Sequence, residues 1–341
     1  MNAQTPLVSV RRACEADAEA IRGFVASHPE SSVFHRPEWF EAVERGCGQR
    51  AHGLIAENPR GELIGFLPLT EVRSPLFGSA LVSAGFGVGG GVLGAGTDAL
   101  AQAAWELSRQ RGCASVELRG GALPTGWARS EGVYANFARN LPDTDEAILG
   151  SIPRKQRAEV RRAFGFDLDL SVGRGLAGHF RVYSESVRNL GTPVFPGTLF
   201  AAMLETFGDD ADILTVSRAG RPLASVLTLY HHGTAYPYWG GGIAEARRWR
   251  ANDLLYYELM RHALRRGCTR FDFGRSKLGS GAFAFKKNWG FAPQPLVYAV
   301  KGDVREMNPA SPRYRFQTAA WKRLPLWLAN RIGPPIARGL G

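Results

Sequence analysis

Residues 267–291 read Gly-Cys-Thr-Arg-Phe-Asp-Phe-Gly-Arg-Ser-Lys-Leu-Gly-Ser-Gly-Ala-Phe-Ala-Phe-Lys-Lys-Asn-Trp-Gly-Phe. The first part predicts a buried strand, because apolar residues alternate in it. The second part predicts a short helix that carries Lys286 and Lys287 behind two glycines, Gly279 and Gly281. Glycines let a backbone approach a ligand, and lysines beside them suit phosphate or a developing oxyanion. We therefore expect this stretch to form part of an anion-handling site.

The order of elements around this stretch occurs twice in the chain. Gly112-Cys-Ala-Ser-Val-Glu-Leu118 matches Gly267-Cys-Thr-Arg-Phe-Asp-Phe273, and each follows a predicted helix. In the first copy we expect the helix at about 97–110 and the strand at 115–119. The matched positions are 155 residues apart (267 minus 112), and the starts of the preceding matched strands are 160 apart (222 minus 62). Such a nearly constant offset indicates duplication of a unit of strands, helix and strand. The sequence thus predicts a mixed α/β (α+β) fold in two lobes.

The chain of 341 residues is longer than one hydrophobic core usually supports. We predict an N-terminal lobe over 1–150, a C-terminal lobe over 151–300 and a basic amphipathic tail over 301–341. The formal charge is +11, and it is unevenly spread: 1–150 holds 13 Lys and Arg against 17 Asp and Glu, whereas 301–341 holds 8 against 2. The later segments are therefore expected to meet an anionic partner, and no DNA partner is predicted.

Several classes of protein are disfavoured by the sequence. No apolar run reaches the roughly 18 residues that span a bilayer, and the first residues lack a signal-peptide core, so we place the protein in the cytoplasm. The four cysteines are far apart, which predicts no metal site and no disulfide framework. The glycine-rich passage 85–91 lacks the spacing of a dinucleotide loop, and we expect a bulged sheet segment there. Asn252 and Asp253 are expected to cap the helix that they begin.

A basic segment lies between the predicted lobes. Arg154, Lys155 and Arg157 follow a proline, and Arg154, Arg157 and Arg161 recur at helical spacing that would place them on one face. Two interpretations stay open at this stage, a solvated helix face and a binding surface for a phosphate-bearing partner.

The tail combines tryptophans and other apolar residues with arginines and lysines. This pattern is typical of an amphipathic helix at a membrane–water interface, and equally of a helix packed on the second lobe. The two interpretations are compatible.

Three further side chains are candidates for the site. Asp272 lies in an apolar strand, so we expect it to pair with Arg270 or Arg275, or else to act as a base or amine-binding group. Tyr238 and Trp239 would line an acceptor groove or belong to the core.

Three motifs together resemble those of the FemAB-like transferases. They are Tyr236-x-Tyr-Trp-Gly-Gly-Gly242, the helix that begins Ala251-Asn-Asp-Leu-Leu-Tyr-Tyr, and the run Phe271 to Phe291 with its Phe-Lys-x-x-Trp-Gly-Phe end. The sequence looks closest to the branch associated with exosortase (PEP-CTERM) and exopolysaccharide systems. The likeness covers nearly the whole chain, with its sharp motifs in residues 141–162 and 236–295.

The resemblance implies two lobes of the acyl-CoA N-acyltransferase (GNAT) type, each a mixed twisted sheet flanked by helices. It implies an acyl or aminoacyl transferase whose donor, aminoacyl-tRNA or acyl-CoA, is a cosubstrate, with no tightly bound cofactor. Lys286 and Lys287 would lie near the acyl-transfer site. Arg154, Lys155 and Arg157 would lie near the donor or a nucleotide-linked acceptor.

Other residues are expected to contact substrate. The predicted substrate-binding group also contains His35, Tyr238, Trp239, Arg275, Lys277, Gly279 and Gly281. The sequence departs from the family pattern in two places. It has no long, heptad-patterned helical hairpin, so the arm found in some cell-wall Fem enzymes, which would favour a tRNA donor, is not expected. In addition, Arg247-Arg-Trp-Arg-Ala-Asn252 stands where acetyltransferases carry a glycine-containing pyrophosphate loop. Without glycines, backbone amides could not approach a pyrophosphate in the standard way.

Two hypotheses remain. The first is an enzyme that forms an amide on a cell-envelope or exopolysaccharide precursor, at the cytoplasmic face of the membrane, with an anionic, nucleotide-linked or lipid-linked acceptor and aminoacyl-tRNA among its partners. The second is a non-catalytic double-lobe protein that binds such precursors in an assembly complex.

Overall fold

The structure, a computed structural model, describes residues 8–303 and 315–341. Its strands are β1 (Ser9–Arg12), β2 (Arg50–Glu57), β3 (Leu63–Ser74), β4 (Gly78–Val82), β5 (Leu93–Gly94), β6 (Ser115–Arg119), β7 (Ala128–Ser130), β8 (Tyr134–Asn136), β9 (Ala138–Asn140), β10 (Asp169–Gly173), β11 (Ala211–Arg218), β12 (Arg221–His231), β13 (Thr234–Gly242), β14 (Arg270–Asp272), β15 (Ser276–Lys277), β16 (Gln294–Pro295) and β17 (Tyr298–Gly302). Its α-helices are α1 (Ala18–Ser27), α2 (Pro37–Cys47), α3 (Thr97–Gln110), α4 (Asp145–Ser151), α5 (Arg154–Ala163), α6 (Leu176–Leu190), α7 (Gly197–Phe207), α8 (Ala251–Arg265), α9 (Gly281–Asn288), α10 (Arg315–Trp321) and α11 (Leu326–Ala337). Part of the predicted tail, residues 304–314, lies outside the described residues.

The chain forms two compact units. Within the described residues, the first unit contains 8–131, 297–303 and 338–341, and the second contains 132–296 and 315–337. These bounds differ from the lobes expected from sequence, because β8 and β9 pair with strands of the second unit and β17 pairs with β6 and β7 of the first. Long-range strand pairing of this kind leaves no local sequence signal.

The sheet of the first unit has the order β1-β2-β3-β4-β6-β17-β7, with β5 beside β3. All neighbours are antiparallel except β4 and β6, which are parallel and are connected through α3. The buried residues of α3 include Leu100, Ala104 and Leu107, whose spacing of four and three places one apolar face on the sheet. The helix and strand bounds expected for 97–110 and 115–119 are confirmed.

The sheet of the second unit repeats this arrangement as β10-β11-β12-β13-β14-β9. Its neighbours are antiparallel except β13 and β14, which are parallel and are connected through α8. A core of Phe137, Phe271, Trp289 and Phe291, all nearly fully buried, lies at the end of this sheet. The repeated pairing confirms the predicted mixed α/β fold and the duplicated order of strands, helix and strand.

Two local expectations are wrong. Residues 85–91 form no strand, because Ala84 and Phe86 just before and within them have positive φ values of 44° and 64°, which a strand does not accommodate. The passage is instead a loop that Trp39 holds by a 3.0 Å hydrogen bond to the Gly85 carbonyl. Helix α8 is capped not by Asn252 or Asp253 but begins after Arg250, which has φ of 55°.

Three of the four cysteines are packed inside the protein. Cys47, Cys113 and Cys268 are buried, and burial raises the pKa of each of these thiols. Cys14 is exposed.

In the described part of the chain, no group of three or more His, Cys, Asp or Glu side chains is suited to holding a metal ion. None of the described helices has the length and hydropathy needed to cross a bilayer.

The close approach of Gly91 to β6 gives a test of the first unit. The Gly91 amide donates to the Arg119 carbonyl at 2.9 Å, and a Cβ at Gly91 would overlap the carbonyl of Gly120. Gly91→Ala is expected to lower the free energy of unfolding by at least about 3 kcal/mol, because the obstacle is backbone. Chemical denaturation measures this change.

Gly23→Ala is the matched control. Gly23 lies in α1, and nothing stands within 4 Å of its added Cβ. The same substitution should there raise the free energy of unfolding by about 0.5 to 1 kcal/mol, because alanine is the better helix former. Equal effects at both positions would contradict the close packing of Gly91.

Candidate active site

The second unit contains a divergence between the parallel strands β13 and β14. The two strands pair only at Thr234 with Arg270 and Ala235 with Phe271, although β13 continues to Gly242. On its other side, β14 pairs with β9 along its whole length, and its last residue, Asp272, pairs there with Ala138. Residues 236–242 of β13 are thus not hydrogen-bonded to β14. The backbone groups at the carboxyl end of this parallel pair can therefore make contacts outside the ladder between the two strands.

A bulge lies in the diverging half of β13. Leu227 of β12 pairs with Trp239 and Thr228 pairs with Pro237, so Tyr238 is the extra residue. Bulges of this kind bend a strand and re-aim its side chains, and they are enriched beside active sites.

The helix α9 follows β15 through a tight turn. Gly279 has φ of 74°, a conformation that suits glycine, and the Ser280 hydroxyl then caps the helix by accepting from the Phe283 amide at 3.2 Å. The far end of the helix is held by Trp289 and Phe291, whose side chains are buried. A short helix is thereby fixed at both ends.

Lys286 is drawn inward from this helix. Its ammonium nitrogen donates to the carbonyls of Gly274 and Arg275, at 2.9 Å each, and lies 5.6 Å from the centre of the Phe137 ring. Burial lowers the pKa of Lys286 to about 7, and the nearby Asp272 charge opposes this lowering. An amine anchored by two carbonyls and poised near neutral pH is suited to proton or oxyanion chemistry.

Asp272 lies beside it at the end of β14. Its carboxylate accepts hydrogen bonds from the Gly274 amide at 2.8 Å and from the Asn136 side-chain amide at 3.1 Å. Burial raises the pKa of this carboxyl, and these two hydrogen bonds act in the opposite direction. The partners found are thus an amide side chain and the backbone, where the sequence suggested Arg270 or Arg275. A carboxyl and an amine whose pKa values are moved toward each other by burial are a recurrent feature of catalytic sites.

Two polar atoms near this pair have no hydrogen-bond partner. They are the side-chain oxygen of Asn136, whose amide nitrogen binds Asp272, and the hydroxyl of Ser276, which is 6% exposed. Ser276 pairs with Ala135 in the adjoining sheet, next to Asn136. Buried polar atoms are seldom left without a partner, so these two are candidates to bind substrate.

The other predicted residues of this stretch lie around Lys286. The Arg275 guanidinium stands 4.7 Å from the Tyr134 ring centre, and the Lys277 side chain is half-buried. Lys287 is exposed, with its ammonium 5.9 Å from the Phe283 ring centre, so it differs from Lys286 in facing solvent. Gly281 is exposed and open to a ligand.

Tyr238 and Trp239 face the other side of the sheet. Trp239 is buried against Phe200 of α7 at 5.3 Å between ring centres, and Tyr238 is 4.6 Å from Trp239. The neighbouring Gly240 faces α8 instead, where an added Cβ would stand 2.9 Å from the Tyr256 hydroxyl. Because α9 packs on Tyr256 through Phe285, the structure does not bring Tyr238 and Trp239 together with Lys286.

The basic segment forms α5, and its arginines share a face as the spacing predicted. Arg154, Arg157 and Arg161 line one surface depression together with Ala158 and Arg162. Arg157 also donates to the Gly150 carbonyl at 3.0 Å, whereas Arg154 and Lys155 are exposed.

The basic helix α5 begins at the end of the lysine helix α9. Gly290, with φ of 82°, lies against Pro153, and an added Cβ would stand 3.0 Å from the Pro153 ring. Pro153 directly precedes Arg154, the first residue of α5. The structure therefore brings the two predicted basic elements together within one unit.

The N-terminus of α8 is covered by acidic side chains. Asp253, in its first turn, accepts from the Gln156 side chain at 2.5 Å, and Arg250 at its cap pairs with Glu159 at 2.6 Å. Burial raises the pKa of Asp253, with the Gln156 hydrogen bond acting against this. Both Gln156 and Glu159 belong to α5. A helix N-terminus that already faces two carboxyl groups is a poor site for a pyrophosphate.

His35 lies in the first unit. Its Nδ1 accepts from the Ser32 amide at 3.0 Å and its Nε2 donates to the Gly91 carbonyl at 3.1 Å. Burial lowers the pKa of His35 to about 4, so the ring is neutral near pH 7. Nε2 thus holds Gly91 of the glycine-rich loop, whereas Nδ1 binds the backbone of Ser32.

The site residues that sequence reasoning missed are Asn136 and Ser276. Asn136 reaches Asp272 across 136 positions of sequence, through the pairing of β8 with β15. No local pattern indicates such a contact. The one available signal was the cost of burying Asp272 in an apolar strand, which requires a partner of some kind.

The burial of Lys286 predicts a pH-dependent stability. Between about 7 and 10.5 the unfolded chain holds a proton that the folded Lys286 has released, so wild-type stability rises with pH across this window. In Lys286→Met this rise is absent, and the difference in Tm, wild type minus variant, should become more positive from pH 7 upward. Thermal unfolding at several pH values measures this difference.

Lys287→Met is the control, since that side chain is exposed. Its difference from wild type should stay nearly flat over the same range. A flat difference for Lys286→Met as well would contradict the burial of this amine.

Comparison with known proteins supports the fold. Residues 153–287 match the family model described as the acetyltransferase (GNAT) domain. No curated protein matches the sequence significantly.

Solved structures resemble the chain over most of its length. The crystal structure of FemX has a TM-score of 0.65 at 15% identity and covers 84% of this chain and 96% of its own. A tandem GNAT protein from the clavulanic acid biosynthesis pathway has a TM-score of 0.55 at 13% identity, covering 87% and 98%. L-PGS from Bacillus licheniformis has a TM-score of 0.52 at 13% identity, covering 90% and 97%. At these identities the likeness is one of fold, and the chain has a GNAT-type fold similar to those of FemX and of tandem GNAT proteins.

Proposed function

We propose that the second unit transfers an acyl or aminoacyl group to an amine, with the reaction centred on Lys286 and Asp272. The observation that carries this proposal is the partly buried Lys286 amine, fixed by the carbonyls of Gly274 and Arg275 and shifted to a pKa of about 7 beside the partly buried Asp272 carboxyl. The match of residues 153–287 to an acetyltransferase family model supports the reaction class.

The proposed reaction forms the amide in the following steps. The acceptor amine attacks the donor carbonyl carbon, a C–N bond forms, and the carbonyl electron pair moves to oxygen. The Lys286 ammonium, with two protons engaged by carbonyls, has a third to donate to this oxyanion. The amine proton passes to the Asp272 carboxylate. Collapse re-forms the carbonyl and expels the donor's oxygen or sulfur, which takes the proton from Asp272.

We assign to Lys286 alone the catalytic role that the sequence analysis gave to Lys286 and Lys287 together. Lys287 faces solvent, where water screens its charge, whereas the Lys286 amine is partly buried beside the Phe137 ring, which strengthens an electrostatic interaction. We assign Lys287 to the path by which an anionic substrate approaches, together with Arg154, Lys155 and Arg157 on α5.

The donor is proposed to carry its phosphates on the arginine face of α5. The N-terminus of α8, where a GNAT pyrophosphate loop would lie, is covered by Gln156 and Glu159 and holds Asp253. Aminoacyl-tRNA fits this arrangement better than acyl-CoA, because its phosphates need no helix N-terminus. The proposed acceptor is an amine on an anionic cell-envelope or exopolysaccharide precursor, in the setting of exosortase-associated systems at the cytoplasmic face of the membrane.

Paired lysine variants test the catalytic assignment. With labelled aminoacyl-tRNA or acyl-CoA and candidate amine precursors, Lys286→Ala should lower kcat by about 100-fold or more, because a preorganised oxyanion donor is lost. Lys287→Ala should lower kcat by less than about tenfold and act mainly through KM.

Wild-type turnover by Lys286→Ala would contradict the assignment. If the wild-type protein transferred from none of these donors yet bound the precursors through α5, the result would favour a non-catalytic binding protein.

The pH dependence of kcat/KM tests whether the reaction needs the positive charge of Lys286. If the ammonium is the active form, kcat/KM falls as pH rises through about 7. The Asp272 charge holds this pKa up, so Asp272→Asn should move the falling limb to lower pH as well as slow the reaction. A limb that stays in place would show that the titrating group is not Lys286.

A further inference from the structure

The C-terminal helices α10 and α11 are packed parts of the second unit. Gly191, at the end of α6, lies directly against Thr318 of α10, and Arg188 donates to the Lys322 carbonyl at 3.3 Å. On α11, the Asn330 side chain donates to the Ser184 hydroxyl at 3.3 Å. The segment is therefore held in a fixed orientation by α6.

Only one side of α11 is used in this packing. Ala329, Gly333 and Ala337 are buried at a spacing of four residues, and Gly333 lies against Val194. The opposite arc of the helix carries Trp327, which is 69% exposed. The packing that fixes the helix thus leaves its large aromatic residue in solvent.

Exposed apolar residues and cations alternate along this segment. Phe316 is 85% exposed and Ile332 is 37% exposed, while Lys322, Arg323 and Arg331 are exposed between and beside them. We call these five residues with Trp327 the tail surface. Residues 315–337 contain no Asp or Glu, and among the described residues no ion pair involves the three cations of the tail surface.

This composition fits a lipid surface better than a protein groove. The cores of protein interfaces are depleted in lysine and in charge, whereas three exposed cations lie in the same segment as the three exposed apolar residues here. Tryptophan favours the boundary between headgroups and acyl chains, and clustered Lys and Arg are attracted to anionic lipid. With Trp327 partly inserted and the cations at headgroup level, the apolar residues of the tail surface would leave water and its cations would meet lipid phosphates.

We propose that the tail surface binds the surface of a bilayer rich in anionic phospholipid. The contact is peripheral: Phe316, Trp327 and Ile332 enter the headgroup region, and Lys322, Arg323 and Arg331 pair with lipid phosphates. This proposal concerns a surface that carries no catalytic residue, so it stands or fails separately from the transferase function.

Vesicle binding by the full-length protein tests the proposal. Vesicles of phosphatidylcholine alone are compared by co-sedimentation with vesicles of phosphatidylcholine mixed with phosphatidylglycerol. The wild-type protein should bind the anionic vesicles about tenfold or more tightly than the neutral ones, and added salt should weaken this binding. Equal binding to both vesicles, or none to either, would overturn the proposal, and binding to neither would favour a protein partner.

Substitutions locate the contact. Trp327→Ala and the double variant Lys322→Glu with Arg323→Glu should each weaken binding to anionic vesicles by about fivefold or more, by loss of insertion and of charge respectively. The matched controls are Leu76→Ala, 67% exposed in the first unit, and Arg60→Glu in an exposed turn. Both controls should bind as the wild type does.

If the tail variants bind like the wild type, the proposed surface is wrong even when the protein binds lipid. Circular dichroism spectra and Tm values show whether each variant remains folded. The exposed positions of Trp327, Lys322 and Arg323 make loss of folding an unexpected cause of weaker binding.

Discussion

The parallel pairing of β13 with β14 ends after two residue pairs, and the candidate site depends on that early divergence. Had the strands stayed paired to Gly242, the carboxyl end of β14 would be closed by a continuous ladder. Instead, β14 ends at Asp272, where it is still paired with β9 on its other side, and the chain continues as β15 and α9. The backbone carbonyls of Gly274 and Arg275 are thereby free of a ladder and become the anchors of Lys286.

The polar pair at this point is costly to bury. Phe137, Phe271, Trp289 and Phe291 surround the end of the sheet, and an amine or carboxyl placed among them loses hydration. The fold offsets part of this cost through the Gly274 backbone, which binds both Asp272 and Lys286. It leaves other polar atoms, on Asn136 and Ser276, without partners. Such incomplete satisfaction is expected where a substrate supplies the missing groups.

The basic elements are organised around the same end of the second unit. Because Gly290 has no side chain, the end of α9 can lie against Pro153. Helix α5, which contains the arginines, begins at the next residue, Arg154. The inner side of α5 meanwhile places Gln156 and Glu159 over the start of α8. One helix thus contacts the N-terminus of α8 and also offers an exposed cationic face. Our proposal of a donor other than acyl-CoA is based on this arrangement.

The amino-acid sequence by itself determined the repeated order of strands, helix and strand, because apolar periodicity and turn residues act over a few positions. It predicted α3 and β6 at their observed bounds and the shared face of Arg154 and Arg157. It also singled out Lys286 and Asp272, since charged residues in an apolar stretch require an explanation. Tertiary structure alone decided which lysine is turned inward, that the Asn136 amide donates to Asp272, and that Trp239 faces away from Lys286. Those outcomes depend on pairings such as β8 with β15, which join residues more than a hundred positions apart and have no counterpart in local sequence.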